Sequence, residues 1–364
     1  MGGSGGGGAK GQSPIFGDEC GGCCLPIGGG VALITTGKGF SIVRFFVPRG
    51  PLAVLVTAAA LIAPGVAQAD YQPIRGTDFF SPTSVWNQPL LATAPIASYS
   101  KTYVDTLNQE VTTYGPWINT TSYSFPVYTI PSTQPNVFIT LDTPSAPLQA
   151  MFQSVPLPAG ARPANGTDQN LVIWQPSTQT MWEFFRLHQD LTGAWHASWG
   201  GKMTNVNTNP GYYANGFGAT ATGLAAVGGL MTLQEESDGV INHALAVALP
   251  HPMAGVFVAP AQRTDGDTSS WSAIPEGMRF RLPSSLNIDA LNLPRQTAMM
   301  AKAVQRYGMI IRDKAGAVAF MAEDPYLYTQ KYGIDPYGPY AFQGRYPSQL
   351  LASFPWKSLQ VVQP

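Results

Sequence analysis

Apolar residues recur along this chain in two rhythms. Val104, Leu107, Val111 and Tyr114 fall at helical spacing behind Ser100, a candidate N-cap, and Gly115-Pro116 stop the run. A second helical stripe, Thr297, Met300, Val304 and Tyr307, follows Pro294 and ends at Gly308. It is expected to be the longest helix of the main domain, and both stripes read as core-facing packing. Elsewhere the period is two, over Asn170–Trp174, Met181–His188, Ile241–Leu249, Gly255–Ala259 and Met278–Leu282. Gln175-Pro176-Ser177-Thr178 reads as a hairpin turn. Lys314-Ala315-Gly316 reads as another, joining Met309–Arg312 to Ala317–Ala322. No βαβ rhythm, internal repeat or long linker is visible. The expected fold is therefore mainly β: a β-sandwich or jelly-roll-like domain with a few packed helices, strand exceeding helix.

The first 69 residues follow a different pattern. A Gly-rich stretch leads to Arg44 and Arg49, then to twelve uncharged, mostly apolar residues, Leu52 to Ala63. Pro64-Gly65 break the run, and Ala67-Gln68-Ala69 present small residues. A basic flank, a short apolar core and an A-x-A end read as a secretory signal. Cleavage is expected before Asp70, giving a leader over 1–69 and a single β-rich extracellular domain over 70–364. The alternative is one N-terminal membrane anchor, though the apolar core is short for a bilayer. No stable membrane span is expected after processing. All three cysteines, Cys20, Cys23 and Cys24, lie in the leader, so the mature domain has no disulfide.

Charge narrows the partners. Charged residues are 11% of the chain and hydrophobic ones 45%, the reverse of a disordered polymer. Removing the leader's four basic and two acidic residues leaves a net charge near −3. No basic stripe is present, which argues against nucleic acid. A polysaccharide or cell-surface glycan is the expected partner.

The densest chemistry lies between Tyr212 and Leu249. Gly211-Tyr212-Tyr213-Ala214-Asn215-Gly216-Phe217-Gly218 mixes glycine and aromatics, as a sugar-contacting loop or a tight structural turn does. A short helical turn carries Glu235 and Glu236 and ends at Gly239. His243 then shares a strand face with Ile241, Leu245 and Val247, so it is either a satisfied core residue or an acid–base group oriented by Glu235. Glu183 alternates with Met181, Phe185 and Leu187. It is either a buried hydrogen-bond hub or a general acid whose pKa burial has raised. Asp168 heads the preceding strand and is expected near Glu183 across the hairpin, unless it only shapes the turn. Arg263, at the open end of an apolar strand, suits an anion or hydroxyl clamp, or a solvated surface. Trp195 and Trp199 alternate around Ala197, so both indoles are expected on one face, stacking on sugars or filling the core. Glu235, His243, Glu183 and Asp168 are thus the catalytic candidates. Arg263, Tyr212, Tyr213, Trp195 and Trp199 are the substrate-binding ones, and all four catalytic candidates except Asp168 are expected with Arg263 in one cleft.

There is no H-E-x-x-H, no G-x-S-x-G and no phosphate loop, and the four histidines have no metal-ligand spacing. No metal and no cofactor are expected. Several segments together resemble a group of secreted bacterial proteins of no established activity. They are Phe80-Ser81-Pro82-Thr83-Ser84-Val85-Trp86-Asn87, Asp168-Gln169-Asn170-Leu171, Trp182-Glu183-Phe184, His243-Ala244-Leu245, Pro260-Ala261-Gln262-Arg263, Arg279-Phe280-Arg281-Leu282 and Tyr307-Gly308-Met309 with Asp313. The resemblance spans roughly Phe80 to Asp324 and implies export and a shared domain. The resulting expectation is a secreted carbohydrate-active protein that cleaves a polysaccharide as a glycoside hydrolase or lyase. The alternative is a non-catalytic carbohydrate-binding or cell-surface module.

Overall fold

The computed structural model describes residues 69–363, together with the backbone of 31–36 and 39–44. The chain divides into two units, Met1–Ala63 and Pro64–Pro364. In the first, Val31–Thr36 pairs antiparallel with Gly39–Arg44. The cysteines, the apolar run read as a secretory signal and most of the expected cleavage motif lie outside the described residues.

The second unit is mixed α/β. Strand is about 23% and helix about 24%, in three mixed sheets, which corrects the expectation of a mainly β sandwich. The largest sheet has six strands in the order Gln360–Val361, Arg279–Arg281, Met309–Lys314, Leu245–Leu249, Val318–Met321, Pro116–Asn119. Its centre is Leu245–Leu249, whose five residues are all buried. The repeat there is large–small, not apolar–polar. Leu245, Val247 and Leu249 join one hydrophobic cluster, and Ala246 and Ala248 join another on the opposite face. A strand buried on both faces reads as a continuous apolar run and belongs in a sheet interior.

That placement overturns the second hairpin. Met309–Lys314 and Val318–Met321 do not pair with each other. Leu245–Leu249 lies between them, parallel to the first and antiparallel to the second. The connection from Leu249 to Met309 carries the helix Arg295–Arg306, so a parallel crossover exists where none was visible. The intervening strand Arg279–Arg281 and the loops around it hide the rhythm. Gly255–Ala259 forms no strand, only an isolated bridge from Phe257 to Glu276. The first hairpin does form: Leu171–Gln175 pairs with Thr180–Phe185 across a short 3-10 turn, Pro176–Thr178.

Both expected helices exist, with their lengths reversed. Ser100–Tyr114 has 15 residues and Arg295–Arg306 has 12. Ser100 is the first helical residue, not the cap, and its hydroxyl accepts the N–H of Val361 at 2.8 Å.

Two glycines of the aromatic loop, Gly211 and Gly218, serve packing. Trp86 is buried, and its indole donates to the Gly211 carbonyl at 2.8 Å. A β-carbon on Gly211, Gly228 or Gly229 would overlap that indole. Gly201 and Gly218 flank the buried Tyr213 ring in the same way. These glycines, from the loop, the strand Trp199–Met203 and the segment after the loop, let two large rings into a dense core.

Candidate functional site

The site begins with an irregularity in the central sheet. Val247 pairs with Ile311, but its neighbour Ala248 pairs with Asp313. Arg312 is therefore the extra residue of a β-bulge, a device that re-aims side chains. Arg312 is fully buried. Its Nη1 donates to the carbonyls of Ala226 (2.7 Å), Gly228 (2.8 Å) and Ala225 (3.3 Å), and its guanidinium lies 5.1 Å over the Phe125 ring. Glu183 grips the same segment from the other side. Its carboxylate accepts the N–H of Ala226 at 2.6 Å and of Ala219 at 3.2 Å. Burial pushes Glu183 up to about 7, against those N–H groups and the charge of Arg312. The strand Thr180–Phe185 is buried on both faces, so the choice between an inner and an outer face does not arise.

The bulge sends Asp313 towards Asp265 and Glu276. One carboxylate oxygen from each lies within 4.8 Å of the others. At that separation two unit charges repel by about 3.5 kcal/mol at an effective dielectric near 20. Asp313 is accordingly held up at about 7 by burial and by Asp265 and Asp168, with Arg312 opposing. Glu276 is pushed to about 9 by burial and its acidic neighbours. The Asp313 Oδ1 accepts the Ala221 N–H at 3.1 Å and the Glu276 Oε2 accepts the Asp265 N–H at 3.1 Å.

Asp168 and Asp313 line two adjoining cavities of about 440 and 390 Å³. Phe125, Asn170 and Lys314 also border both. Trp117 and Tyr123 wall the first, and Phe185 and Trp199 the second. Arg263 stands in the second. Its Nη2 donates to Thr220 O at 2.7 Å and Gly218 O at 3.3 Å, and its guanidinium lies 5.8 Å over the Trp199 ring. Trp199 in turn stacks on Phe217 at 6.3 Å. Burial lowers the Arg263 pKa, while Asp313, Asp265 and Glu276 hold it up.

Glu235 and His243 meet elsewhere. Thr232 caps the helix Leu233–Asp238 in a reciprocal capping box with Glu235, and Gly239 closes it in a left-handed conformation. The chain then turns back, and His243 Nε2 lies 3.2 Å from the Glu235 carboxylate. His243 Nδ1 faces the Ala244 carbonyl at 2.8 Å, an acceptor, so it carries a proton. The Glu235 carboxylate also accepts from Gly76 N, Thr232 N and the Thr232 hydroxyl. Burial lowers the His243 pKa, but the Glu235 charge and both hydrogen bonds outweigh it, and the net shift is upward. His243 is 0% exposed and Glu235 3%, and Gly76 lies directly over the imidazole. This is a sealed ion pair, with His243 in a bend before the strand Leu245–Leu249 rather than on it.

The expected single cleft is thus two separate clusters. No hydrogen bond or ion pair among the described residues joins Glu235 and His243 to Glu183 and Arg263. Asp168 lies by Asp313 rather than Glu183, because the hairpin register sets Glu183 opposite Val172. Trp195 and Trp199 do not share a face. The chain changes sheet at Ser198, so Trp195 pairs in a three-stranded sheet and Trp199 in a four-stranded one. Tyr213 is core, beside Glu183, whereas Tyr212 lines a different cavity with Arg279 and Pro260. Arg312, Asp265 and Glu276 went unseen as site residues. The available signal was Arg312-Asp313 closing an apolar run, a charged pair where a buried strand should end.

The fold and site define a mixed α/β protein with an acid-rich, aromatic-walled cleft. Compared with known proteins, the chain matches no family model, no curated protein and no solved structure.

Proposed function

We propose that this chain is an exported protein of the secreted bacterial group its motifs resemble, and that it hydrolyses a glycan in the cleft bordered by Asp168 and Asp313. One observation carries the reading: two carboxylates, Asp168 in the bend before Leu171–Gln175 and Asp313 on Met309–Lys314, stand where two cavities adjoin, with aromatic rings on either side. A sugar chain lying through both cavities would present a glycosidic bond at that junction. Hydrolysis needs carboxyl groups flanking the bond, and aromatic faces hold the flanking sugars. Arg263 serves the second cavity as a fixed hydrogen-bonding wall.

The test is a polysaccharide panel incubated with purified protein, read by reducing-end release and by the absorbance of unsaturated products. Reducing ends without that absorbance support hydrolysis, and Asp168→Asn should abolish them while the melting temperature stays within about 2 °C, as for an ordinary surface change. Release of unsaturated products would move the reaction to elimination. No turnover on any glycan, with binding retained, would reduce the protein to a carbohydrate-binding module.

A further inference from the structure

Among the described residues, Asp265, Glu276 and Asp313 form the densest group of potential metal ligands, and nothing in the glycan reading uses all three. They come from two loop positions and the end of the bulged strand, so no spacing in the sequence announces them. None of the three makes an ion pair. Two guanidinium groups act on these carboxyls through space, but Arg263 Nη2 donates to the Thr220 and Gly218 carbonyls and Arg312 Nη1 to those of Ala225, Ala226 and Gly228. Lys314, adjacent in sequence, pairs with Asp267 at 2.7 Å.

The oxygens are already sorted. Backbone N–H groups take one oxygen of Asp313 and one of Glu276. The second oxygen of Glu276 has no hydrogen-bond partner, and Glu276 is 0% exposed. A buried carboxylate oxygen without a donor is rare unless another species satisfies it. Asp265 is exposed and, with Asp313, lines the cleft, so the group opens to solvent on that side.

We infer that Asp265, Glu276 and Asp313 bind one hard divalent cation of the Ca²⁺ class at the edge of the cleft. All-oxygen donors select such ions over zinc or copper. Three carboxylates leave coordination positions for water or sugar hydroxyls, which the cleft can supply. Asp168 stays outside the group, and a cation on Asp313 would take that carboxylate out of the pair assigned to hydrolysis. The inference extends the glycan reading but does not depend on it, because cation binding is measured with no glycan present.

The experiment uses purified protein stripped with EDTA and dialysed into chelator-free buffer at pH 7.5. CaCl₂ is titrated by calorimetry, with thermal melts at increasing concentration and MgCl₂ and ZnCl₂ as comparisons. One site per chain is expected, with a dissociation constant of about 10⁻⁴ to 10⁻³ M or tighter, and a melting temperature that rises with CaCl₂. Asp265→Asn, at an exposed position that leaves the core intact, should weaken binding at least about tenfold, one charged ligand being worth about 1.4 kcal/mol or more. Glu276→Gln should do the same and, by putting a neutral amide of the same shape where burial favours the neutral carboxyl, should not lower the melting temperature of the stripped protein. Absence of heat and of any thermal shift at 10-fold above that range overturns the inference. So does an Asp265→Asn protein that binds Ca²⁺ as the parent does, which would assign the ion to other surface carboxylates. Loss of Ca²⁺ binding with glycan turnover intact would leave the glycan reading standing alone.

Discussion

Replacing His243 by alanine tests whether the Glu235–His243 pair is structural. The substitution removes an imidazolium held 3.2 Å from a carboxylate in a site with no solvent exposure. Breaking a buried ion pair by removing one partner costs about 3–5 kcal/mol. An unfolding entropy of about 2.1 cal/mol/K per residue over the roughly 295 described residues gives about 0.6 kcal/mol/K. The melting temperature should therefore fall by about 5–8 °C. The loss depends on pH. The folded pKa of His243 is raised above its unfolded value, about 6.5. The pair's contribution is thus complete below about pH 6.5 and disappears as pH rises through the folded value. Scanning calorimetry of parent and variant at pH 6 and pH 9 should show the gap closing at the higher pH. A double-mutant cycle with Gly76→Ala sharpens the test. A β-carbon at Gly76 overlaps the imidazole, so it should destabilise the parent and be far milder in the His243→Ala background. A variant that melts within 1 °C of the parent at pH 6 would refute the structural reading, since a loss of at least about 3 kcal/mol is required.

The acidic core makes a second prediction. Burial holds Glu183 and Glu236 at about 7 and Glu323 at about 8, all above the unfolded carboxyl value of about 4.3. The folded state then binds more protons than the unfolded one between these limits, so stability falls as pH rises. Melting temperature should be higher at pH 5.5 than at pH 8.5, and a flat or rising profile would show these carboxyls to be solvated. Gly228→Ala forces a methyl group into the Trp86 indole and should destabilise by about 1–3 kcal/mol, measured by urea unfolding. In the cleft, Trp199→Ala should weaken glycan binding by at least about tenfold, as loss of an aromatic sugar platform does, with the Arg263 guanidinium left uncovered. Titration with an oligosaccharide released in the panel would measure it.

Local chemistry was legible wherever neighbours in the chain decide the outcome. The helix Ser100–Tyr114 follows from its apolar spacing and its glycine stop, and the helical turn carrying Glu235 and Glu236 ends at Gly239 as its sequence indicates. The hairpin around Pro176 follows from its turn residues. Even the contact between Glu235 and His243 was readable, because Gly239 reverses the chain within a few residues.

The rest depended on which distant segments pack together. Leu245–Leu249 had to enter the sheet between two strands that sequence order alone would have paired, because only a central position buries both its large and its small faces. That insertion forces the bulge at Arg312 and turns Asp313 towards Asp265 and Glu276, residues brought together by no local pattern. The sheet change at Ser198 likewise separated Trp195 from Trp199, although period-two spacing put them on one face. The sequence by itself determined the two long helices, the turn at Pro176 and the apolar identity of the strands, since these rest on short-range sterics and periodicity. Only the tertiary structure decided which carboxylates share a cleft, because strand order and a single bulge are settled by burial across the whole sheet.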